Sequence, residues 1–330
     1  MARRRGSVTA MNVAAMNDPE QQPILPVSLT RWNTDFSLFA RDLSASFRRT
    51  GFAIVADHGI DLALIEAAIA DTRAFFALPD GNKHAYHQPG TGGARGYTPF
   101  GVEAAKDATT SDLKEFWHTG RDLPPGHRYR DVMPDNVWPS EVAGFRTHIA
   151  ALFGALDAMG AKLLEAISVD LGLPRQFFVD KVDHGNSVLR LLHYPPVSPE
   201  ATGVRAGAHE DINVITLLLG AEEAGLEVMT RGGQWLAITP PAGALVVNVG
   251  DMLQRLTNHL LPSTTHRVVN PAPDRRGMPR YSTPFFLHFN PDFRIETLDH
   301  CISATNPDRY PDPITADAYL QQRLREIKLL

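Results

Sequence analysis

The stretch that decides the fold is His209-Glu210-Asp211-Ile212-Asn213-Val214-Ile215-Thr216-Leu217-Leu218-Leu219. From Ile212 to Leu219 it has the β-branched and aliphatic content of a strand, with His209-Glu210-Asp211 at its opening. On an extended chain residues two apart share a face, so the His209 imidazole and the Asp211 carboxylate converge while Glu210 turns away. By itself His-x-Asp is a weak signal, because a turn aspartate beside a packed histidine reads the same.

Two later segments add weight. His266 follows 57 residues on, in Ser263-Thr264-Thr265-His266-Arg267-Val268, at the start of a second strand, His266 to Val269. Two imidazoles and a carboxylate leave about three coordination positions open, the donor set of a non-haem Fe(II) site. Fourteen residues further, Arg280-Tyr281-Ser282 repeats the spacing of two. A guanidinium fork and a hydroxyl on one face are suited to holding a carboxylate.

The surrounding texture is that of a β-rich half. Short apolar runs at Ser187 to His193, Leu226 to Met229, Trp235 to Ile238, Ala244 to Val249 and Tyr281 to His288 are separated by Gly and Pro. Such spacing predicts a sandwich or barrel rather than alternating βαβ units. Ahead of it, Pro23 to Val27 and Phe52 to Val55 read as strands. Helices are expected over Asp35 to Thr50, Leu62 to Phe76 and Glu141 to Leu171, where apolar residues recur at three and four. A last amphipathic helix is expected over Thr315 to Ile327. The glycine-rich stretch from His87 to Arg130 reads as a loop that covers something.

Composition narrows the function classes. The chain has 330 residues, a net charge of −5, one cysteine and thirteen histidines. One cysteine makes neither an internal disulfide nor a thiolate zinc site, so a metal would have His and carboxylate ligands. No apolar run reaches the roughly 20 residues of a membrane span, and no Lys/Arg cluster suggests a nucleic-acid partner. The few cysteines fit the reducing cytoplasm. Met1 to Gln22 carries Arg3, Arg4 and Arg5 without an apolar run, and is expected to be a disordered tail.

The order His209-x-Asp211, His266, Arg280-x-Ser282 resembles the 2-oxoglutarate- and Fe(II)-dependent dioxygenases, in the isopenicillin N synthase-like branch. The likeness extends from about Pro23 to Leu324, through Gly51-Phe52, His58-Gly59-Ile60, Tyr194-Pro195-Pro196, Val247-Asn248-Val249-Gly250-Asp251 and Thr257-Asn258. It implies a mixed α and β fold: a double-stranded β-helix, or jelly roll, flanked by helices, with an N-terminal α/β portion packed on it. The implied organisation is a tail at 1–22, an N-terminal dioxygenase portion at 23–140, a long scaffold helix at 141–183, the jelly roll at 184–292 and a C-terminal helix at 293–330.

The resemblance further implies Fe(II) held by His209, Asp211 and His266, and 2-oxoglutarate held by Arg280, Ser282 and Tyr194, with O2 as co-reactant. The expected reaction is oxidation, foremost hydroxylation, of a C–H bond of a small-molecule substrate with release of succinate and CO2. The rivals are an oxidase of the same fold that uses O2 without 2-oxoglutarate, and a non-catalytic metal- and metabolite-binding sensor. Where many relatives have Asn, this chain has Leu192.

Candidate substrate walls are Arg95, Tyr97, Phe100, Phe116 and His118, with Phe286, which alternation places on the face of Arg280 and Ser282. His193 is expected to point away, Arg190 to be a buried arginine paired with an acid, His259 an exposed turn residue and Asp251 a turn residue.

Overall fold

A computed structural model describes residues 21–91, 93–102, 113–196, 204–220, 225–271 and 273–327. The expected N-terminal tail lies outside the described residues apart from Gln21 and Gln22.

Fourteen strands among the described residues form two main sheets and a small ribbon. In chain order they are β1 Pro26–Ser28, β2 Phe52–Ala56, β3 Gly96–Thr98, β4 Glu115–Gly120, β5 Val188–Tyr194, β6 Ala206–His209, β7 Ile215–Leu219, β8 Leu226–Met229, β9 Trp235–Ala237, β10 Leu245–Val249, β11 His266–Val268, β12 Arg280–Leu287, β13 Arg294–Ile295 and β14 Ile314–Thr315. The large sheet has the order β1-β2-β10-β7-β12-β5-β4-β3, and the smaller one β6-β11-β8-β9. All pairs are antiparallel except β1 with β2. Two facing antiparallel sheets with helices outside make the sandwich that the strand spacing predicts, in the jelly-roll form that the resemblance implies.

Period-two alternation sorts the large sheet into two chemically different faces. Leu189, Leu191, Leu217, Leu245, Val247, Phe285 and Leu287 are buried with the helices Phe36–Thr50, Leu62–Phe76 and Phe145–Asp170. Their neighbours Phe52, Ile54 and Val246 instead join Ala206, Leu226, Val228 and Ile238 of the smaller sheet. The long helix Phe145–Asp170 lies close on the outer face: a Cβ at Gly160 would overlap the Leu287 side chain. Gly51 ends the first of these helices at φ 71°, a left-handed cap that glycine adopts without strain, and a Cβ there would collide with Thr264 and the Pro262 carbonyl.

Three expectations are corrected. The strand predicted over Ile212 to Leu219 begins at Ile215, and His209 ends a separate strand, β6. The backbone between them bonds to residues 250–252 instead of a ladder: Asp251 N donates to Asp211 O at 2.7 Å and Met252 N to Asn213 O at 3.1 Å. Next, the segment predicted as loop from His87 to Arg130 contains β3 and β4, which extend the large sheet. Finally, the long helix starts at Phe145, four residues later than read, because Val142 to Gly144 form the turn that leads into it.

Candidate metal and cosubstrate site

His209 ends β6 and His266 opens β11, and the two are register partners in the smaller sheet. Asp211 lies two residues on, in the crossover to the large sheet. The convergence of His209 and Asp211 therefore comes from a sheet-to-sheet bend, not from one extended strand. His209 Nε2 is 3.9 Å from Asp211 Oδ1, and His266 Nε2 is 4.0 Å from Asp211 Oδ2. One ligand atom from each of the three lies within 4.8 Å of the others, a spacing that could hold one metal ion.

The supporting contacts fix which atoms face that point. His209 Nδ1 donates to the Gly207 carbonyl at 2.7 Å and His266 Nδ1 to that of Thr264 at 3.1 Å, so each Nε2 presents its lone pair. Asp211 Oδ2 accepts from Thr216 Oγ1 at 2.6 Å and Asn248 Nδ2 at 2.8 Å. Burial alone would push Asp211 up. His266 and His209, followed by those two hydrogen bonds, outweigh it and hold the carboxyl below its usual range. His209 is held down to about 4, chiefly by desolvation and then by His266 and Lys114. Its side chain still keeps 38% of its surface accessible, so it can be reached from solvent. A neutral imidazole is the form that binds metal.

The large sheet supplies the second half of the site. Arg280 faces Tyr194 across β12 and β5, its Cζ 5.2 Å from the ring, and Ser282 faces Leu192. Arg280 is 1% exposed, its Nη1 reaches only Ser282 Oγ at 3.5 Å, and its Nε has no partner. A guanidinium buried with unmet donors fits an incoming carboxylate. Arg205, also buried and 5.8 Å from the Tyr194 ring, joins this wall.

Residues 185–289 match the 2OG-Fe(II) oxygenase superfamily, and residues 23–141 match the family described as non-haem dioxygenase in morphine synthesis N-terminal. Proline hydroxylase buaE of Petromyces alliaceus is 35% identical over 301 residues, covering 87% of this chain and 92% of that one. The chain belongs to the 2-oxoglutarate/Fe(II) oxygenases. Among solved members, a 2OG-Fe(II) oxygenase family protein from Caulobacter crescentus is 62% identical with a TM-score of 0.87, covering 92% of this chain and 99% of that one. A full-length Neurospora crassa protein, solved in complex with alpha-KG and thymine, is 30% identical with a TM-score of 0.82, covering 94% and 98%. This oxygenase is therefore an isopenicillin N synthase-like enzyme that uses Fe(II), 2-oxoglutarate and O2 on a small molecule.

The expected substrate residues divide. Phe116, His118 and Phe286 lie on the cavity-facing side of the large sheet, by the registers Phe116↔Leu192, His118↔Arg190 and Phe286↔Val188. Arg190, read as an acid-paired arginine, donates its Nε to His118 Nε2 at 2.6 Å and lies over the Phe116 ring at 4.3 Å. Arg95 is buried beside them. Tyr97 is on the opposite face, packed against Phe75 with its hydroxyl donating to Glu115, and Phe100 is 44% exposed in the turn beyond β3.

His193 points away as expected, bonding Glu115 and stacking on Tyr281. His259 is a turn residue as read, at φ 64°, but half-buried against Tyr310 rather than exposed, and Asp251 opens a short helix. Thr216 and Asn248 were missed as supports of Asp211. Their signal was a polar residue inside otherwise apolar runs, Ile-Thr-Leu-Leu-Leu and Leu-Val-Val-Asn-Val.

Proposed function

We propose that His209, Asp211 and His266 hold the Fe(II), that Arg280 and Ser282 bind the distal carboxylate of 2-oxoglutarate beside Tyr194, and that the enzyme hydroxylates a C–H bond of a small molecule lying against Phe116, His118 and Phe286. When bound, the iron and 2-oxoglutarate supply the oxidising chemistry, with succinate and CO2 as coproducts. The observation that carries the reading is the pairing of three converging ligand atoms, one of them held by Thr216, with a buried arginine on the neighbouring strand β12 whose Nε has no hydrogen-bond partner among the described residues.

Each residue has a physical task. The carbonyls of Gly207 and Thr264 fix the imidazole tautomers, and Thr216 with Asn248 keeps Asp211 ionised and aimed. Arg280 orients the cosubstrate by charge and by its fork. Leu192, buried with Phe116 and Tyr194, lines the wall with apolar surface where relatives place Asn, which favours exclusion of water there. His118 is fixed in the wall through both ring nitrogens, Nδ1 donating to the Gly93 carbonyl and Nε2 accepting from Arg190.

The domain reading follows the same lines: an N-terminal portion at 23–140, a scaffold helix region at 141–183, a catalytic jelly roll at 184–292 and a C-terminal region at 293–330, whose helix is confined to Ala316–Glu326 after the β13–β14 ribbon. The substrates named for relatives, a proline-directed activity in one and thymine in another, support a small-molecule partner. No described helix is long and apolar enough to cross a membrane, and the single cysteine, Cys301, is buried and free; both suit a reducing cytoplasm.

Anaerobic addition of Fe(II) and then 2-oxoglutarate tests the reading by its charge-transfer absorption, followed by succinate release in air. Absence of the band in the wild type, or its full retention in Arg280→Ala, refutes the cosubstrate assignment.

A further inference from the structure

Arg95 is 2% exposed, and its Nε and Nη2 have no hydrogen-bond partner. Nη1 donates to the Ala94 carbonyl at 2.7 Å. What remains is the Nε–Nη2 edge, the pair of parallel donors that matches the two oxygens of a carboxylate. Burial depresses this guanidinium to about 10, opposed through space by Asp122 and Asp135. Both acids have other partners: Asp122 Oδ1 accepts from Asn136 Nδ2 at 2.7 Å, and Asp135 pairs with Arg130.

The position of this arginine is built into the sheet. A Cβ at Gly120 would overlap Arg95 Cζ, Nη2 and Nε, so the guanidinium lies where a side chain at position 120 would project. Gly120 has no left-handed backbone to explain it; its missing side chain is the seat. One register row crosses the sheet from Phe52 through Asn248, Thr216, Phe286 and Val188 to Gly120. Phe52 packs edge-on against His266, and Asn248 and Thr216 bond Asp211, so the metal ligands stand at one end of that row. Arg95 stands at the other. From the Thr216 strand to the Gly120 strand is three strand spacings, roughly 14 Å along the sheet, bordered by the rings of Phe286 and Phe116.

We propose that Arg95 is the specificity-determining anchor for a carboxylate at the end of the substrate remote from the carbon that is oxidised. The substrate class is then a monocarboxylic acid several bonds long, not one oxidised beside its acid group. The assignment rests on the reading above, that this cavity is the oxidation site.

The test uses 3-phenylpropionate and hexanoate, each against its own amide, titrated by calorimetry into the wild-type Fe(II)·2-oxoglutarate protein without O2. Each acid is expected to bind at least about 10-fold tighter than its amide, the strength of a hydrogen bond to a charged group. Arg95→Gln abolishes that preference, and so does Gly120→Ala, which displaces the guanidinium without removing it. Equal affinity of acid and amide in the wild type, or no binding by either, overturns the proposal. So does a preference that survives in Arg95→Gln. If Arg95→Gln fails to fold, Gly120→Ala and the wild-type comparison still decide. The charge-transfer band reports separately on the cosubstrate: a missing band refutes the earlier reading, while the acid-to-amide ratio alone judges Arg95.

Discussion

Replacing Asn248 with Leu isolates one hydrogen bond to the proposed carboxylate ligand. Asp211 Oδ2 takes two donors, Thr216 Oγ1 at 2.6 Å and Asn248 Nδ2 at 2.8 Å, and the variant removes the second while roughly keeping the buried volume. A hydrogen bond to a charged group contributes about 1.5–3 kcal/mol, or roughly 10- to 150-fold in binding. Loss of an outer partner of a metal ligand costs about 10–100-fold, so the two routes agree.

The pH dependence has a definite sign. Asp211 is held below its usual value by the histidines and these donors, against burial. Removing one donor lets it rise, a proton then competes with the ion more effectively, and binding is lost at a higher pH than in the wild type. The assay is anaerobic competition for Fe(II) against a chromophoric chelator, from mildly acidic to neutral pH, with metal-free thermal melts as the fold control. Indistinguishable affinity and an unmoved acid limb in Asn248→Leu would falsify the role given to this residue.

Arg280→Lys keeps the charge but loses the fork, and is expected to weaken 2-oxoglutarate by at least about 10-fold with Fe(II) affinity unchanged, read from the charge-transfer titration. Burial, only partly offset by Ser263 and then by Arg323 with its Nη2 3.3 Å away, raises Asp251 from 3.8 to about 6. The folded state therefore keeps that proton over a range where the unfolded chain has lost it, and stability falls as pH rises through that window. Asp251→Asn is expected to gain about 1–3 kcal/mol at neutral pH and nothing below about pH 4, checked by urea midpoints at the two pH values. Gly160→Leu improves helix propensity by up to about 1 kcal/mol yet drives a side chain into Leu287. Overpacking of about 1–3 kcal/mol is expected to win, seen as a lowered melting temperature.

Much of the architecture was legible because helices and buried strands declare themselves by period. Leu62 to Phe76 and Leu226 to Met229 are found as read. β6 was not legible, since Ala-Gly-Ala-His has neither length nor β-branching, and its pairing with β11 is purely tertiary. For the same reason the meeting of His209 and Asp211 was expected from the wrong local geometry. Tyr97 was nominated for its loop, but a three-residue strand turned it toward Phe75 and Glu115. Arg95 carried no sequence signal beyond its place in that loop, because its seat at Gly120 is made by a strand 25 residues away.

The three proposed ligands do not belong to one layer. His209 and His266 stand side by side on the smaller sheet, while Asp211 is moored by Thr216 and Asn248 to the larger one. An ion bound by all three would be a rivet between the layers, added to the crossover chain and its backbone hydrogen bonds to Asp251 and Met252. Its binding free energy becomes part of the energy resisting separation of the sheets, growing with the logarithm of ion concentration over Kd. Removal of the ion is then expected to loosen the smaller sheet, lowering the melting temperature and raising susceptibility to proteolysis of the metal-free protein.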